Sequence, residues 1–236
     1  MKKLFQFTII LFILINHSYL SNAQEFKVGF QSGLGTYKMH RLKDLSNYLA
    51  YYNSLLPKVV SNYPSYFYYQ PSVTFAFKKI NLGFLYSFHS TGSRISIKDY
   101  SGEYRFDSKI KCHTLGTVGE INLNPEKKIK FILYSEVGVI FTKLNLTESF
   151  TVNDQSLIDI KYDFTSKSYY YEPGLKISYP LSSILFECNL GYFKQFGKGT
   201  FKTSDDLNVY TNGDLLKPDW SGLRIGISVY LVFPLW

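Results

Sequence analysis

Long stretches of the chain alternate apolar and polar residues. Near the C-terminus Leu223, Ile225, Ile227, Val229, Leu231 and Phe233 are all apolar, while Arg224, Gly226, Ser228 and Tyr230 take the places between them. A period of two is that of a β-strand with two unlike faces. The same rhythm recurs upstream. Phe26, Val28, Phe30 and Leu34 alternate with Lys27, Gly29, Gln31 and Gly33; Leu82, Phe84, Tyr86 and Phe88 alternate with Gly83, Ser87 and His89. Phe131, Leu133, Val137, Val139 and Phe141 stand against Tyr134, Glu136 and Gly138. Tyr169, Tyr171, Leu175, Ile177 and Tyr179 stand against Glu172, Gly174, Lys176 and Ser178, and Ile184, Phe186, Cys188, Leu190 and Tyr192 against Glu187, Asn189 and Gly191. A strand in a soluble sandwich reads alike but is shorter, commonly about 5–6 residues. Long strands with one apolar face and one small or polar face are the mark of a membrane-spanning barrel.

The connections sort into two kinds. Lys78 to Asn81, Asn124 to Lys128 and Tyr179 to Ser183 are tight turns, whereas Met39 to Pro64 and Lys202 to Asp219 are long, polar and rich in turn formers. Two more, near Asp99–Gly102 and Asn153–Asp159, are short but join very long strands. Turns of the two kinds alternate, as the inner and outer ends of such a barrel do. The fold expected is all-β, an eight-stranded antiparallel up-and-down transmembrane β-barrel. Its strands fall near 26–37, 65–77, 82–98, 103–123, 129–152, 160–178, 184–201 and 220–233. Spanning needs only about 9–11 residues per strand, so the four middle strands are predicted to project beyond the outer leaflet as a sheet. Within the first long loop Leu45, Tyr48, Leu49, Tyr52 and Leu56 have helical spacing, which predicts a short amphipathic helix over Asp44 to Leu56 covering the barrel mouth.

The N-terminus follows a different rule. Lys2 and Lys3 precede an apolar run from Leu4 to Ile15, and Ser21-Asn22-Ala23 places small residues where a leader is cut. The run is shorter than the roughly 20 residues a spanning helix needs. Residues 1–23 are therefore expected to be a cleavable signal peptide and 24–236 the barrel domain, in the outer membrane with both termini periplasmic. Export permits a disulfide, but Cys112 and Cys188 fall on non-adjacent strands and opposite faces, so both are expected to be free.

Composition sharpens this picture. Aromatic residues make up 18% of the chain, with 21 tyrosines and 20 phenylalanines, more than a soluble core of this size calls for and in keeping with aromatic girdles at two interfaces. The net charge of +8 drops to +6 once Lys2 and Lys3 are removed. This excess is dispersed, which suits anionic lipid head groups and argues against a nucleic-acid partner.

On Val28-Gly29-Phe30-Gln31-Ser32-Gly33-Leu34-Gly35 in the first strand, and on the aromatic end of the last, the chain resembles the Bacteroidetes outer-membrane β-barrel family, the porin-like group that includes PorT-type proteins. The resemblance implies an envelope protein and, through its PorT-type members, support of a secretion or gliding apparatus. Barrels of this kind usually end on an aromatic residue read by the barrel-assembly machinery. Here the series Val229, Leu231, Phe233 is followed by Pro234-Leu235-Trp236. Either Phe233 ends the signal, or Trp236 substitutes for it with Pro234 breaking the register.

Eight strands enclose a lumen just wide enough for side chains to fill. The inward-facing ionisable residues are Lys27, Glu120, Glu136, Glu172, Lys176, Glu187 and Arg224, with Glu136, Glu172 and Arg224 at mid-height and the others lower. Unpaired buried charges are costly, so a paired polar core is expected. The function expected is that of a non-enzymatic barrel acting through its outer loops and projecting sheet, in interaction, adhesion or envelope assembly. An envelope protein partner is expected there, besides outer-membrane lipid. One alternative is a narrow porin-like channel for small solutes. A second is a lipid-modifying enzyme, which needs a base and a nucleophile at the rim. His89 with Ser90 or Ser93, and His113 with Thr114, supply the residue types. Adjacent residues, however, point to opposite faces, and Ser93 lies about 13 Å along the strand from His89. No spacing suggests a metal or a cofactor.

Overall fold

The computed structural model describes residues 24–235 apart from 78, 101, 154, 198, 204 and 212. The expected leader and Trp236 lie outside the described residues. In chain order the elements are β1 (Glu25–Gly35), α1 (His40–Tyr52), β2 (Lys58–Asn62), β3 (Tyr66–Ala76), β4 (Ile80–Lys98), β5 (Gly102–Asn122) and β6 (Lys130–Val152). There follow β7 (Gln155–Leu181), β8 (Ile184–Phe196), β9 (Tyr210–Thr211), β10 (Asp214–Leu215) and β11 (Gly222–Pro234). Eight strands form a closed antiparallel ring in the order β1-β3-β4-β5-β6-β7-β8-β11, with β11 pairing back onto β1. Closure leaves no edge within the lipid-facing part, which is what a membrane requires of strands. Gln24 and Leu235 are hydrogen-bonded to each other at the end that carries the short turns, so both described chain ends lie there.

The spanning register is fixed by what surrounds each face. Leu223, Ile225, Ile227, Val229, Leu231 and Phe233 are exposed on the outside of β11, while Arg224, Ser228 and Tyr230 are buried within. An outside made of leucine, isoleucine and phenylalanine with charge inside is the transmembrane barrel arrangement. Rings of Phe26, Phe75 and Phe233 cluster at the short-turn end, with centroids 5.2 and 6.2 Å from Phe26. Phe88, Phe141, Tyr169 and Phe196 face outward toward the other end.

The middle strands β4 to β7 run to 19, 21, 23 and 27 residues, far more than a bilayer needs, and continue outward as a sheet. β2 adds to this sheet by pairing with β4 through Lys58↔Ser96 to Asn62↔Ser93, beyond the point where β3 stops. The polarity of the faces reverses where the projection begins. On β5 the outward residues change from Ile121 and Leu115 to Lys111, Lys109 and Asp107, and the buried ones from Glu120 and Thr114 to Cys112, Ile110 and Phe106. Met39, Leu42, Ile110, Ile140, Leu144, Phe201 and Leu216 make an apolar core over the barrel mouth.

Several boundaries differ from the expectation, each for a local reason. The helix spans His40–Tyr52, not Asp44 to Leu56, and buries Leu42 and Ser46, whereas Tyr48, Tyr52 and Leu56 are exposed. Asn53 is already extended and Pro57 follows, so the helix cannot reach Leu56. The turn expected over Asn153–Asp159 is far shorter, because Asn153 takes the left-handed conformation (φ 49°) and the strand resumes at Gln155. β8 ends at Phe196 rather than near 201, where Gly197 (φ 93°) and Gly199 (φ 48°) turn the chain away. Pro234 does not break the register. It pairs with Glu25, and the Leu235 N–H still reaches the Gln24 carbonyl at 2.9 Å. The nitrogen of Pro234 points to the β8 side, where pairing has run out at Leu231↔Ile184, so no ladder bond is lost. Cys112 and Cys188 are both free, one buried and one exposed.

Candidate functional site

Two regions carry functional possibilities, the lumen and the projecting sheet. All seven predicted lumen residues are buried, and the fold gathers them into two groups. In the lower group the Lys176 ammonium sits 2.5 Å from Glu120 and 3.5 Å from Glu187. Asn81 donates to the other Glu120 oxygen at 2.8 Å. Lys27 lies 3.6 Å from Glu25 at the rim of this group, where a cavity of about 240 Å³ opens between Lys27, Asn81, Asn122 and Lys130. Lys176 thus holds both Glu120 and Glu187, while Lys27 pairs with Glu25 at the rim.

In the middle group Glu136 and Glu172 occupy directly opposed positions on β6 and β7, with Arg224 paired to Glu172 and the Lys176 ammonium, 5.0 Å from the Tyr134 ring, on the side of the lower group. Arg224 donates to Glu172 at 2.8 Å, and the Tyr134 hydroxyl donates to the other Glu172 oxygen at 2.9 Å. Glu136 accepts from Gln70 at 2.9 Å, and its second oxygen has no hydrogen-bond partner among the described residues. The guanidinium carbon of Arg224 lies 3.6 Å from the centre of the Phe193 ring, a cation–π stack inside the barrel.

Aromatic rings fill the space between these groups, at Tyr134, and above them, at Tyr170 and Phe193, a use of tyrosine that girdles do not account for. Inward glycines make room for them. Gly116 and Gly138 are directly paired, and a Cβ on either would come within 2.3 and 2.7 Å of Tyr170 atoms. Tyr170 in turn stacks on Phe193 at 4.7 Å. Gly174 and Gly191 make the same room for Tyr134. Above them Trp220 is fully buried and donates to Thr142 at 3.0 Å. The signal for this filling was present in the sequence as glycine on the small face of one strand and tyrosine on the same face of the next, but pairing register is needed to match them.

The rim pairs considered for catalysis do not assemble. His89 points into the lumen, fully buried, where its Nε2 lies 2.6 Å from Ser87 Oγ and 3.3 Å from Arg224. Ser93 bonds to Ser46 and Ser61 instead. His113 faces outward against the Tyr86 hydroxyl at 2.6 Å, whereas Thr114 faces inward to Ser87. Among the described residues no three of His, Cys, Asp and Glu converge as a metal site.

The projecting sheet carries its charges outside. Arg94 grips Asp107 with two hydrogen bonds of 2.6 and 3.0 Å, and Lys143 lies 3.0 Å from Asp163. Bonds from Lys143 and Asn145 hold the Asp163 carboxyl below its ordinary value. Along β7 every residue from Gln155 to Asp163 is exposed except Ile158, which is half-buried. Exposed apolar residues there include Leu157, Ile160 and Tyr162, which contrasts with the buried inner face of β5.

No family model matches this chain, and no curated protein matches its sequence. Among solved structures it is similar to Ail, the attachment invasion locus protein of Yersinia pestis, with 12% identity and a TM-score of 0.39 over 90% of this chain and 98% of that one. It is also similar to Neisserial surface protein A, with 10% identity and a TM-score of 0.38 over 89% of this chain and 97% of that one.

Proposed function

We propose that this chain is a non-enzymatic outer-membrane barrel, closed by its own side chains, that works through its projecting sheet and outer loops in adhesion or envelope assembly. The observation that carries the reading is the continuous filling of the lumen. Above the cavity at the short-turn end, buried side chains follow one another from Lys176 and Tyr230 through Glu172, Arg224 and Tyr170 to Trp220 and Leu42. Such filling is normal for eight strands, whose interior is about as wide as the side chains themselves. The paired lumen charges then serve structure. The long sheet, by contrast, places far more surface outside the bilayer than spanning requires.

The end with the short turns faces the periplasm in this reading, as do both termini. Val229, Leu231 and Phe233 form the outward row presented to the barrel-assembly machinery, Trp236 being the other candidate end of that signal, and the outward apolar band meets outer-membrane lipid. The PorT-type resemblance of the first strand makes a secretion-associated complex the envelope assembly to look for.

Two measurements test the reading. In planar bilayers the purified barrel is expected to be electrically silent; steady openings abolished by Arg224→Ala would establish a channel instead. Cross-linking in intact cells is expected to attach a specific surface or envelope protein to the outer loops. Recovery of lipid alone, with lipid A acylation altered on replacing His89 or His113, would turn the reading toward a lipid-modifying enzyme.

A further inference from the structure

The outer part of β7 has an open backbone edge. β6 pairs with β7 along its whole length, from Lys130↔Ser178 to Val152↔Gln155. On the other side β8 reaches only to Tyr169↔Phe196. Beyond it Thr165 exchanges two backbone hydrogen bonds with Lys202, at 3.0 and 2.8 Å. Past Thr165 no described residue pairs with that edge. Since Thr165 points its N–H and C=O away from β6, the alternate residues Asp163, Lys161 and Asp159 do the same. Their side chains face outward, while Ile158, Ile160 and Tyr162 share the opposite face. Ile160 and Tyr162 are 40% and 48% exposed, so the edge has an apolar flank that nothing described in the fold covers.

We propose that this edge pairs with the same edge of a second copy of the chain seated in a facing membrane. The inference rests on the reading that the projecting sheet is the working surface. Charge selects the occupant. In an antiparallel register centred on Ile160, Asp159 of each copy faces Lys161 of the other, Ile160 faces itself and Ile158 faces Tyr162. Centring on Lys161 would oppose lysine to lysine and Asp159 to Asp163, which is destabilising. Centring on Tyr162 would bring Asp159 opposite Thr165, which Lys202 already occupies, whereas centring on Ile160 brings only the first residue of the strand, Gln155, to that position. Lysine on an edge discourages pairing with a generic strand, but the alternating signs of Asp159 and Lys161 complement themselves.

Direction decides where the second copy sits. β7 runs from the tip of the sheet toward the lipid-facing barrel, and its antiparallel partner runs the other way. The second barrel therefore lies beyond the tip, in another membrane. Two copies side by side in one membrane would bring the edges together parallel. Directly opposed residues of a parallel pair do not both point their groups across the gap, so a two-fold pair in register cannot bond that way. A single contact of this length is weak, but many barrels per cell multiply it.

The test uses cells displaying the full chain in two colours. Wild-type cells are expected to clump with one another. Lys161→Glu leaves two acids on the pairing positions and Asp159→Lys leaves two bases, so each variant alone is expected to lose clumping, and a mixture of the two to recover it. In the register centred on Ile160 the two Ile160 Cα atoms come within about 4.5 Å, inside disulfide range, so Ile160→Cys should give a reducible dimer under mild oxidation. Cys188→Ser removes the one exposed native thiol from that experiment. A shift in gel mobility on boiling shows that each variant folds. Variants that clump alone as the wild type does, or a mixture of folded variants that fails to clump, would overturn the pairing. If intact-cell cross-linking still captures a surface or envelope protein in that case, the interaction reading survives without self-recognition.

Discussion

On β6 the outward residues are Phe131, Leu133, Val137 and Phe141 near the short turns, and Lys143, Asn145, Thr147 and Ser149 farther out. The inward residues change in the opposite sense, from Glu136 and Gly138 to Ile140, Leu144 and Leu146. One strand thus passes through two proteins, one inside out and one arranged like a soluble domain. The backbone does not change, and neither does the side to which each residue points. What changes is the medium outside, from hydrocarbon to water, and with it the face that must be apolar. On β4, β5, β6 and β7 the reversal falls at Phe88, His113, Phe141 and Lys167, which are directly paired across the four strands. That line marks the outer limit of the lipid contact.

Breaking the arrangement inside the barrel should cost most. Arg224→Ala removes the ion-pair partner of Glu172, and loss of one partner from a buried pair costs about 3–5 kcal/mol; denaturant unfolding in lipid vesicles should read it as a large fall in midpoint. Next in size, Val137→Arg puts a charge on the lipid face and should cost about 2–4 kcal/mol, whereas Thr147→Arg on the same outward face of β6 should cost under about 1 kcal/mol. Equal effects at the two sites would mean that the reversal is not the membrane boundary. A smaller change is expected for Arg94→Ala, since exposed ion pairs contribute about 0–1 kcal/mol, and high salt should shrink it further. Glu136→Gln should leave stability unchanged or raise it, because it removes one of two directly opposed carboxylates and the amide oxygen can still accept from Gln70; a loss matching that of Arg224→Ala would show that the Glu136 charge is needed.

Much of this contrast can be read along the chain, though a period of two by itself carries only part of it. The alternation at Leu82–Phe88 and Leu223–Phe233 identifies lipid-facing strands without help from structure. The projecting segments stand out in the sequence by their charge at Arg94, Arg105 and Asp107. The sharper signal is that the apolar positions shift by one residue within a continuous strand, from Phe131–Phe141 on odd numbers to Ile140–Leu146 on even ones. The lumen residues were legible as inward positions, but their grouping was not. Glu136 and Glu172 meet because register places them opposite each other, and Arg224 reaches them from a strand 52 residues later in the chain than Glu172.

The sequence by itself determined the architecture, because each strand must present an apolar face to lipid and period, length and turn chemistry express that need locally. It likewise determined that the cysteines lie apart and that the middle strands outrun the bilayer. Only the tertiary structure decided which tyrosine lies over which glycine, which acid holds which base, and that β7 extends past both β8 and the folded-back Lys202. These depend on the offset between strands around a closed ring, and no single strand carries that offset in its own residues.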